Sequence, residues 1–276
     1  HCPHPVFKTQ PFYKARFLEP KLNTKLVDEC KGRTKYIRYS SEGEPLIHPK
    51  SYEMIQYSVE SGTFTTLTTN GTILSEKRAK RLLDSGIHMV DISIDAFRPE
   101  TYAKIRVGGD LETTRNNVLR LLEWSKTTKV VVSFIEQPEN AEEMEDFREF
   151  WTSKGAIPII RKCHSAAGSI INIAKILRTK EPRRPCVYPW ERIKLSPHGF
   201  LTYCPADWVR GSDVSDYRTT TIEETWQGPF YEALRQAHLN NDFEVHRFCG
   251  QCPDWKLTQW EGRSYSTLIN ELNPAQ

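Results

Sequence analysis

The chain has 276 residues, 38% of them hydrophobic, which is enough for one large domain or for a medium domain with a small appendage. It carries 38 basic and 35 acidic residues, a net charge of +3, and this near balance favours neither nucleic acid nor a membrane surface as a partner. Apolar runs such as residues 130–132 are far shorter than the roughly 18 residues that span a bilayer. Since no signal peptide is recognisable, we expect a cytoplasmic protein.

The first large segment of the chain alternates between strand and helix patterns. We predict strands over residues 35–40, 64–69, 88–95, 129–135 and 156–160, and helices over residues 50–60, 75–83, 111–124 and 142–151. This order predicts an α/β fold with a parallel sheet, closed towards a barrel or doubly wound. Catalytic residues of such folds lie where the strands end. The residues at these ends are Glu42 to Pro45, Thr69 to Gly71, Asp95, and Arg161 to His164.

The character of the sequence changes after His164. A short apolar helix is predicted over residues 168–177, and the charged, proline-rich residues 180–185 are typical of a linker. We therefore predict two domains, residues 1–179 and residues 180–276. Because the second region has few long apolar runs, we expect a metal group to stabilise it.

The cysteines of this second region are spaced like metal ligands. The chain has seven cysteines, an odd number that argues against a disulfide framework. Cys186 and Cys204 flank a predicted hairpin with its turn at residues 196–199, and Cys249 and Cys252 form a Cys-x-x-Cys pair. Four thiolates suit zinc or an iron–sulfur cluster, although a zinc ribbon usually has two short cysteine pairs and here only the second is short.

The cysteine spacing resembles the start of the SPASM extension of radical S-adenosylmethionine (SAM) enzymes. No cysteine follows Cys252, so the pattern is similar to the shorter twitch form, and also to the family's amino-cyclitol dehydrogenases of the butirosin type. The resemblance implies a partial (β/α)6 barrel followed by a small cysteine-rich α+β domain. It also implies that an auxiliary [4Fe–4S] cluster is bound by Cys186, Cys204, Cys249 and Cys252.

Four segments of the predicted barrel resemble radical SAM motifs in the right order. Residues 42–46 resemble the GGEP motif, with Glu42 in place of the first glycine, and residues 68–72 resemble the TNG turn. Residues 91–96 and 102–109 resemble the fourth-strand segment and the Y-x-x-I-R-x-G segment that follows it. The resemblance implies that SAM contacts Gly43, Glu44, Pro45, Thr69, Asn70, Ser93, Asp95 and Arg106.

The family's catalytic [4Fe–4S] cluster is held by three cysteines in a C-x-x-x-C-x-x-C motif, which this sequence does not contain. The opening residues His1 to Pro5 resemble the end of that motif, so Cys2 matches its third ligand. We expect the first two ligands and a first strand to precede His1. The alternative is a degenerate protein that never binds the catalytic cluster.

The implied function is that of an oxidoreductase. SAM cleavage would give a 5′-deoxyadenosyl radical, which abstracts a hydrogen atom from a small polar substrate of the sugar or cyclitol type. We expect oxidation at that carbon and a reductase or flavodoxin as electron donor. Arg161, Lys162 or His164 could move the proton, and His164 has the most suitable unperturbed pKa.

Three alternatives remain open at this point. Cys163 follows a predicted strand and lies outside both cluster motifs, so it could be a hydrogen-atom donor in an epimerase. The substrate could instead be a peptide, as for the family's maturases. An alternative of another class is a non-catalytic scaffold with a structural metal site of four cysteines.

Overall fold

The computed structural model describes residues 4–11, 13–40, 43–258 and 265–273. These residues form two compact units, one of residues 30–163 and one that combines residues 1–29 with residues 164–276. Compactness alone does not define a domain, so the predicted limits of 1–179 and 180–276 stay predictions.

The first segment holds helices α1 (His4–Phe7) and α2 (Pro20–Cys30). The unit of residues 30–163 contains β1 (Tyr36–Tyr39), α3 (Ser51–Glu60), β2 (Phe64–Thr69), α4 (Glu76–Asp84), β3 (Met89–Ser93), α5 (Pro99–Ile105), α6 (Leu111–Trp124), β4 (Lys129–Glu136), α7 (Met144–Ser153) and β5 (Ile157–Lys162). The last segment contains α8 (Ile171–Leu177), α9 (Tyr188–Glu191), β6 (Lys194–Leu195), β7 (Phe200–Thr202), β8 (Asp213–Asp216), α10 (Ile222–Gln227), α11 (Pro229–Asn240), α12 (Arg247–Gln251) and α13 (Tyr265–Leu272).

The unit of residues 30–163 is built on a five-stranded sheet of order β1-β2-β3-β4-β5, in which all neighbouring strands are parallel. The predicted α/β class, the parallel sheet and all five predicted strands are confirmed. Parallel strands need crossover connections, which the intervening helices supply. The carboxyl ends of the five strands therefore lie along one edge of the sheet.

Alternate residues of the strands form the core with the helices. Leu67, Ile92 and Phe134 have no exposed surface, and they belong to one cluster with Val118 of α6 and Phe147 of α7. Burying a side chain of this size contributes about 1.5–3 kcal/mol. The strand residues between them point to the opposite face of the sheet, and several of these are polar.

Two helix starts differ from the prediction. The helix predicted over residues 142–151 begins as a 3-10 turn, and α7 starts only at Met144. The reason is the buried side chain of Glu143, which accepts hydrogen bonds from the backbone N–H groups of Phe97 and Arg98. The helix predicted over residues 168–177 starts at Ile171, because Gly168 and the two alanines before it have positive φ angles.

The other unit contains a small antiparallel sheet of order β6-β7-β8. The predicted hairpin is confirmed, since β6 pairs with β7 across the turn at residues 196–199. Within its described residues the apolar cores are small: one centres on Leu22, Leu201 and Tyr217 and another on Tyr231 and Leu234. None of the helices in the described part of the chain has the length and hydropathy of a membrane-spanning segment.

Gly71 provides a test of the turn after β2. Its φ is +72°, and a Cβ atom there would lie 2.8 Å from Ile92 Cγ2. We expect Gly71→Ala to lower the free energy of unfolding by more than the roughly 1–2 kcal/mol of left-handed backbone strain. The matched control is Gly62→Ala, because Gly62 has φ +83° but no atom within 4 Å of an added Cβ. Urea unfolding of both variants measures the difference, and equal losses would contradict the packing argument.

Candidate functional site

Glu44 joins the loops that follow β1 and β2. Its Oε1 accepts a hydrogen bond from Thr69 Oγ1 at 2.8 Å, and its Oε2 accepts one from the Asn70 N–H at 2.8 Å. Burial raises the pKa of Glu44, while the hydrogen bonds from Asn70 and Thr69 oppose that rise. The Glu44 side chain is thus engaged within the protein. What this segment offers to a ligand is backbone, at the exposed Gly43 and the half-exposed Pro45.

Asp95 holds Arg106 at the end of β3. The Asp95 carboxylate is fully buried, forms an ion pair with Arg106 and accepts a hydrogen bond from the Ile135 N–H at 2.8 Å. Desolvation raises the pKa of Asp95, and the Arg106 charge opposes this shift. The Arg106 side chain keeps 21% of its surface exposed. We therefore interpret Asp95 as the positioning residue and Arg106 as the group that can reach a ligand carboxylate. Ser93, the last residue of β3, is half-buried beside them.

A row of polar side chains crosses the sheet on the face opposite the helices. Asp91 on β3 is fully buried and lies 3.4 Å from Arg161 Nη2 on β5 and 3.7 Å from Arg38 Nη2 on β1. The Ser133 hydroxyl on β4 donates a hydrogen bond to Asp91 and accepts one from Arg161 Nη1 at 2.7 Å. Arg38 also donates to Thr68 on β2 at 2.8 Å. All five strands contribute one member to this row.

The polar row was only partly anticipated. Arg161 was predicted as a site residue, whereas Arg38 and Ser133 were not. The signal that could have revealed them is a charged or hydroxyl side chain in the middle of a predicted parallel strand, where apolar residues are the rule.

Cys163 and His164 follow β5 directly, as predicted. Cys163 is half-exposed and is not in a disulfide. His164 Nδ1 accepts a hydrogen bond from the Ala166 N–H at 3.1 Å. Partial desolvation lowers the pKa of His164, and the Asp254 carboxylate opposes this shift. Part of the His164 side chain remains exposed to solvent. A neutral imidazole can accept a proton, whereas the guanidinium of Arg161 can only donate hydrogen bonds.

The second site lies within the other unit and gathers four cysteines. Cys186, Cys204, Cys249 and Cys252 all line one pocket. Its remaining wall is largely aromatic and apolar, and includes Tyr188, Tyr203, Phe248 and the buried Trp255. The sequence thus predicted the four residues that share this pocket. Cys2 and Glu42 lie outside the described residues.

Without a bound metal group, the pocket favours the neutral thiol form of its cysteines over the thiolate. Burial raises the pKa of all four, to about 12 for Cys249 and Cys252, and repulsion from the neighbouring cysteines adds to the shifts of Cys204, Cys249 and Cys252. The Thr258 hydroxyl donates a hydrogen bond to Cys186 Sγ at 3.0 Å. The backbone N–H groups of Tyr188, Ala206 and Asp254 oppose the rise in the pKa of Cys186, Cys204 and Cys252 respectively. Backbone N–H donors to sulfur are one of the features that set the potential of iron–sulfur clusters.

His238 provides an independent test of whether an iron–sulfur cluster fits here. It lines the same pocket, and its Nδ1 accepts a hydrogen bond from the Cys186 N–H at 3.3 Å. Burial, with the charges of Arg183 and His246, lowers its pKa to about 4, so the ring is neutral and its hydrogen lies on Nε2. That buried Nε2 has no partner among the described residues. Four thiols and an unsatisfied N–H donor suit a cluster with sulfide and thiolate acceptors. No three His, Cys, Asp or Glu side chains in the described ranges are spaced for a single metal ion.

Comparison with known families agrees with this chemistry. A family model described as the radical SAM superfamily matches residues 1–150, more than half of the chain, and a SPASM model, described as an iron-sulfur cluster-binding domain, matches residues 186–253. The chain belongs to the radical SAM superfamily. Its cofactors are accordingly SAM, a catalytic [4Fe–4S] cluster and an auxiliary iron–sulfur cluster.

The curated relatives include archaeal proteins named "Probable GTP 3',8-cyclase". That of Methanocaldococcus jannaschii is 36% identical over 118 residues, which is 42% of this chain and 39% of the relative. That of Methanococcus maripaludis strain C7 is 31% identical over 234 residues, which is 84% of this chain and 68% of the relative. The chain therefore spans well under half the length of the first of these and about two thirds of the second.

Two solved structures are similar over nearly the whole chain. BtrN in complex with AdoMet and 2-DOIA has a TM-score of 0.65 and 14% identity, and the match covers 96% of this chain and 90% of BtrN. Streptococcus suis SuiB bound to the precursor peptide SuiA has a TM-score of 0.66 and 13% identity, with 98% and 70% coverage. At this level of identity the comparison shows the fold alone.

The cysteine pocket leads to a first prediction for this site. Replacing Cys186, Cys204, Cys249 or Cys252 with alanine should lower the iron content by one cluster's worth and increase protease sensitivity of the tail, because metal binding and folding are coupled there. Iron analysis and limited proteolysis of anaerobically purified protein measure both effects. Cys30→Ala is the control, since Cys30 ends α2 and lies outside the pocket. Unchanged iron in all four variants would refute the assignment.

Asp95 leads to a second prediction. Asp95→Asn removes the charge that holds Arg106, so SAM should bind at least tenfold more weakly, since a charge-assisted hydrogen bond contributes about 1.5–3 kcal/mol. Calorimetric titration of SAM into cluster-loaded protein measures the loss. The exposed Glu100→Gln on α5 serves as control. Wild-type affinity in Asp95→Asn would show that Arg106 does not depend on this pair.

Proposed function

We propose that the protein is a radical SAM dehydrogenase that oxidises a hydroxyl-bearing carbon of a small polar substrate, of the sugar or cyclitol type. The observation that carries the proposal is the pocket shared by four cysteines. A cluster with four thiolate ligands has no iron left open for a substrate. It is therefore suited to accepting the single electron that a dehydrogenation releases, whereas an epimerisation would need an electron delivered to the thiyl radical of its hydrogen-atom donor.

The residues that would hold the cofactors follow from the two sites. Cys2 would be one ligand of the catalytic cluster, and the strand-end segments would bind SAM through the backbone of Gly43 and Pro45, the turn of Thr69 and Asn70, and the side chains of Ser93 and Arg106. When bound, these cofactors supply hydrogen-atom abstraction and, at the auxiliary site, a one-electron acceptor. A reductase or flavodoxin as electron donor, and a cytoplasmic location, stay predictions.

The protein's own residues must then complete the oxidation. A carbinol carbon that has lost its hydrogen atom becomes a carbonyl when it loses one electron and the hydroxyl proton. Arg161, held by Asp91 and Ser133, is suited to donate a hydrogen bond to the substrate oxygen. His164 is suited to accept the proton because its lowered pKa leaves the imidazole neutral at neutral pH.

A second candidate is epimerisation with Cys163 as hydrogen-atom donor. The position of Cys163 directly after β5, outside any disulfide, favours it. In that reaction the substrate radical would take a hydrogen atom from the thiol on its opposite face. The thiyl radical left on Cys163 would regain one electron from the proposed reductase or flavodoxin and one proton from solvent, so the substrate would not be oxidised.

The names of relatives and neighbours define what the substrate assay must contain. Proteins with similar sequences are named GTP 3',8-cyclases, and a protein of similar fold binds a precursor peptide. GTP and peptides therefore belong in the panel beside sugars and amino-cyclitols.

The proposal is tested by product analysis in heavy water. With its substrate, the reduced enzyme should form 5′-deoxyadenosine and an equal amount of a carbonyl product lighter by two hydrogen atoms, with no solvent deuterium at that carbon. Cys163→Ala should give the same product, whereas Arg161→Gln should lower the rate by about 10²-fold or more, as loss of a positioned donor does. Mass spectrometry and NMR identify the product. A deuterium-labelled epimer that disappears in Cys163→Ala would overturn the proposal in favour of the second candidate.

A further inference from the structure

Arg183 is a charged residue that the proposed chemistry does not yet use. It lies three residues before Cys186 and lines the cysteine pocket. Its Nη1 donates to the backbone oxygens of Gly250 at 3.3 Å and Cys252 at 3.4 Å. Its guanidinium also stacks over the Phe243 ring, 4.3 Å from the centroid. These contacts hold the charge beside the C-terminal end of α12, which carries Cys249 and is followed by Cys252.

The charge of Arg183 is not balanced by a carboxylate. No Asp or Glu in the described ranges lies within ion-pair distance of it, and the ionisable groups that act on it are the thiols of Cys252, Cys249 and Cys186. Its Nε is buried without a hydrogen-bond partner in the same part of the chain.

The other charged groups near the pocket have hydrogen-bond or ion-pair partners of their own, and they still act on the cysteines: Arg192 on Cys186, Asp254 on Cys252 and Asp207 on Cys249. Arg192 forms an ion pair with Glu191 at 2.6 Å. Asp254 accepts hydrogen bonds from Ser165 and from the Ala167 N–H. The Asp207 carboxylate accepts hydrogen bonds from both the N–H and the Oγ of Ser212.

The other nitrogen base that lines the pocket, His238, accepts a hydrogen bond at Nδ1 from the Cys186 N–H, which only a neutral imidazole can do. Among the described residues that line this pocket, Arg183 is therefore the uncompensated cation.

We propose that Arg183 is the electrostatic partner of the auxiliary cluster and raises its reduction potential, so that the cluster accepts the electron released by substrate oxidation. Taking up one electron makes a thiolate-ligated cluster more negative by one charge. A fixed positive charge in a poorly hydrated pocket stabilises that reduced form more than the oxidised form. The inference rests on the proposed assignment of the four cysteines to this cluster.

The test is a potentiometric titration monitored by EPR. It uses the Cys2→Ala background, in which the proposed catalytic cluster is absent and one cluster signal remains. Arg183→Gln should lower the equilibrium constant for reduction about tenfold or more, which is a midpoint shift of about −59 mV or larger. Arg183→Lys keeps the charge and should restore most of the wild-type potential. Arg184→Gln is the matched control, because Arg184 is the exposed neighbour of Arg183 and should leave the potential unchanged.

Each outcome bears on the inference separately from the cysteine assignment. If cluster-loaded Arg183→Gln has the wild-type midpoint potential, the proposed role of Arg183 is overturned, while the assignment of the four cysteines survives. Loss of the cluster in Arg183→Gln and in a second neutral variant, Arg183→Met, with retention in Arg183→Lys, supports it, because the charge is then what the cluster requires. Loss in all three variants shows a structural role for the guanidinium and overturns it. A wild-type cluster signal in the four cysteine variants would instead refute the site itself.

Discussion

Mutual repulsion among buried thiolates is the constraint on which the cysteine-rich unit depends. The pocket places Cys186, Cys204, Cys249 and Cys252 around one space, where burial and their own neighbours oppose ionisation. The apolar cores of this unit are small, so packing alone offers little to hold the four segments together. A bound cluster removes the repulsion, uses the three backbone N–H donors and joins segments that are up to 66 residues apart, from Cys186 to Cys252. Folding of this unit and cofactor binding are therefore one process in this account.

Buried carboxylates have the corresponding role at the strand ends of the other unit. Glu44 ties the first two loops together, Asp95 orients Arg106, and Asp91 lies between two arginines in the polar row. Removing one member of such a buried pair leaves an uncompensated charge, which commonly costs about 3–5 kcal/mol. The same contacts that stabilise the loops fix the groups that face a ligand, so stability and positioning of the site are coupled.

The sequence was sufficient for the parallel sheet, the hairpin and the four cysteines, because strand periodicity, turn residues and ligand spacing are local or regularly spaced signals. It was not sufficient for the late start of α7, which results from a contact of Glu143 with a loop some 45 residues earlier. The polar row was missed for the same reason: Arg38 and Ser133 acquire meaning only once strand register brings them to Asp91. Arg183 was assigned to a linker, and only the fold shows that its charge lies at the cysteine pocket.

The four cysteines should hold a cluster with no open iron, which suits it to accept an electron. Mössbauer spectroscopy of the isotopically enriched Cys2→Ala protein tests it directly, with and without SAM and the substrate panel. Every iron of the remaining cluster should be sulfur-ligated, and neither addition should change the spectrum. A distinct iron site that shifts when a substrate is added, or a colourless protein loaded with zinc, would contradict it.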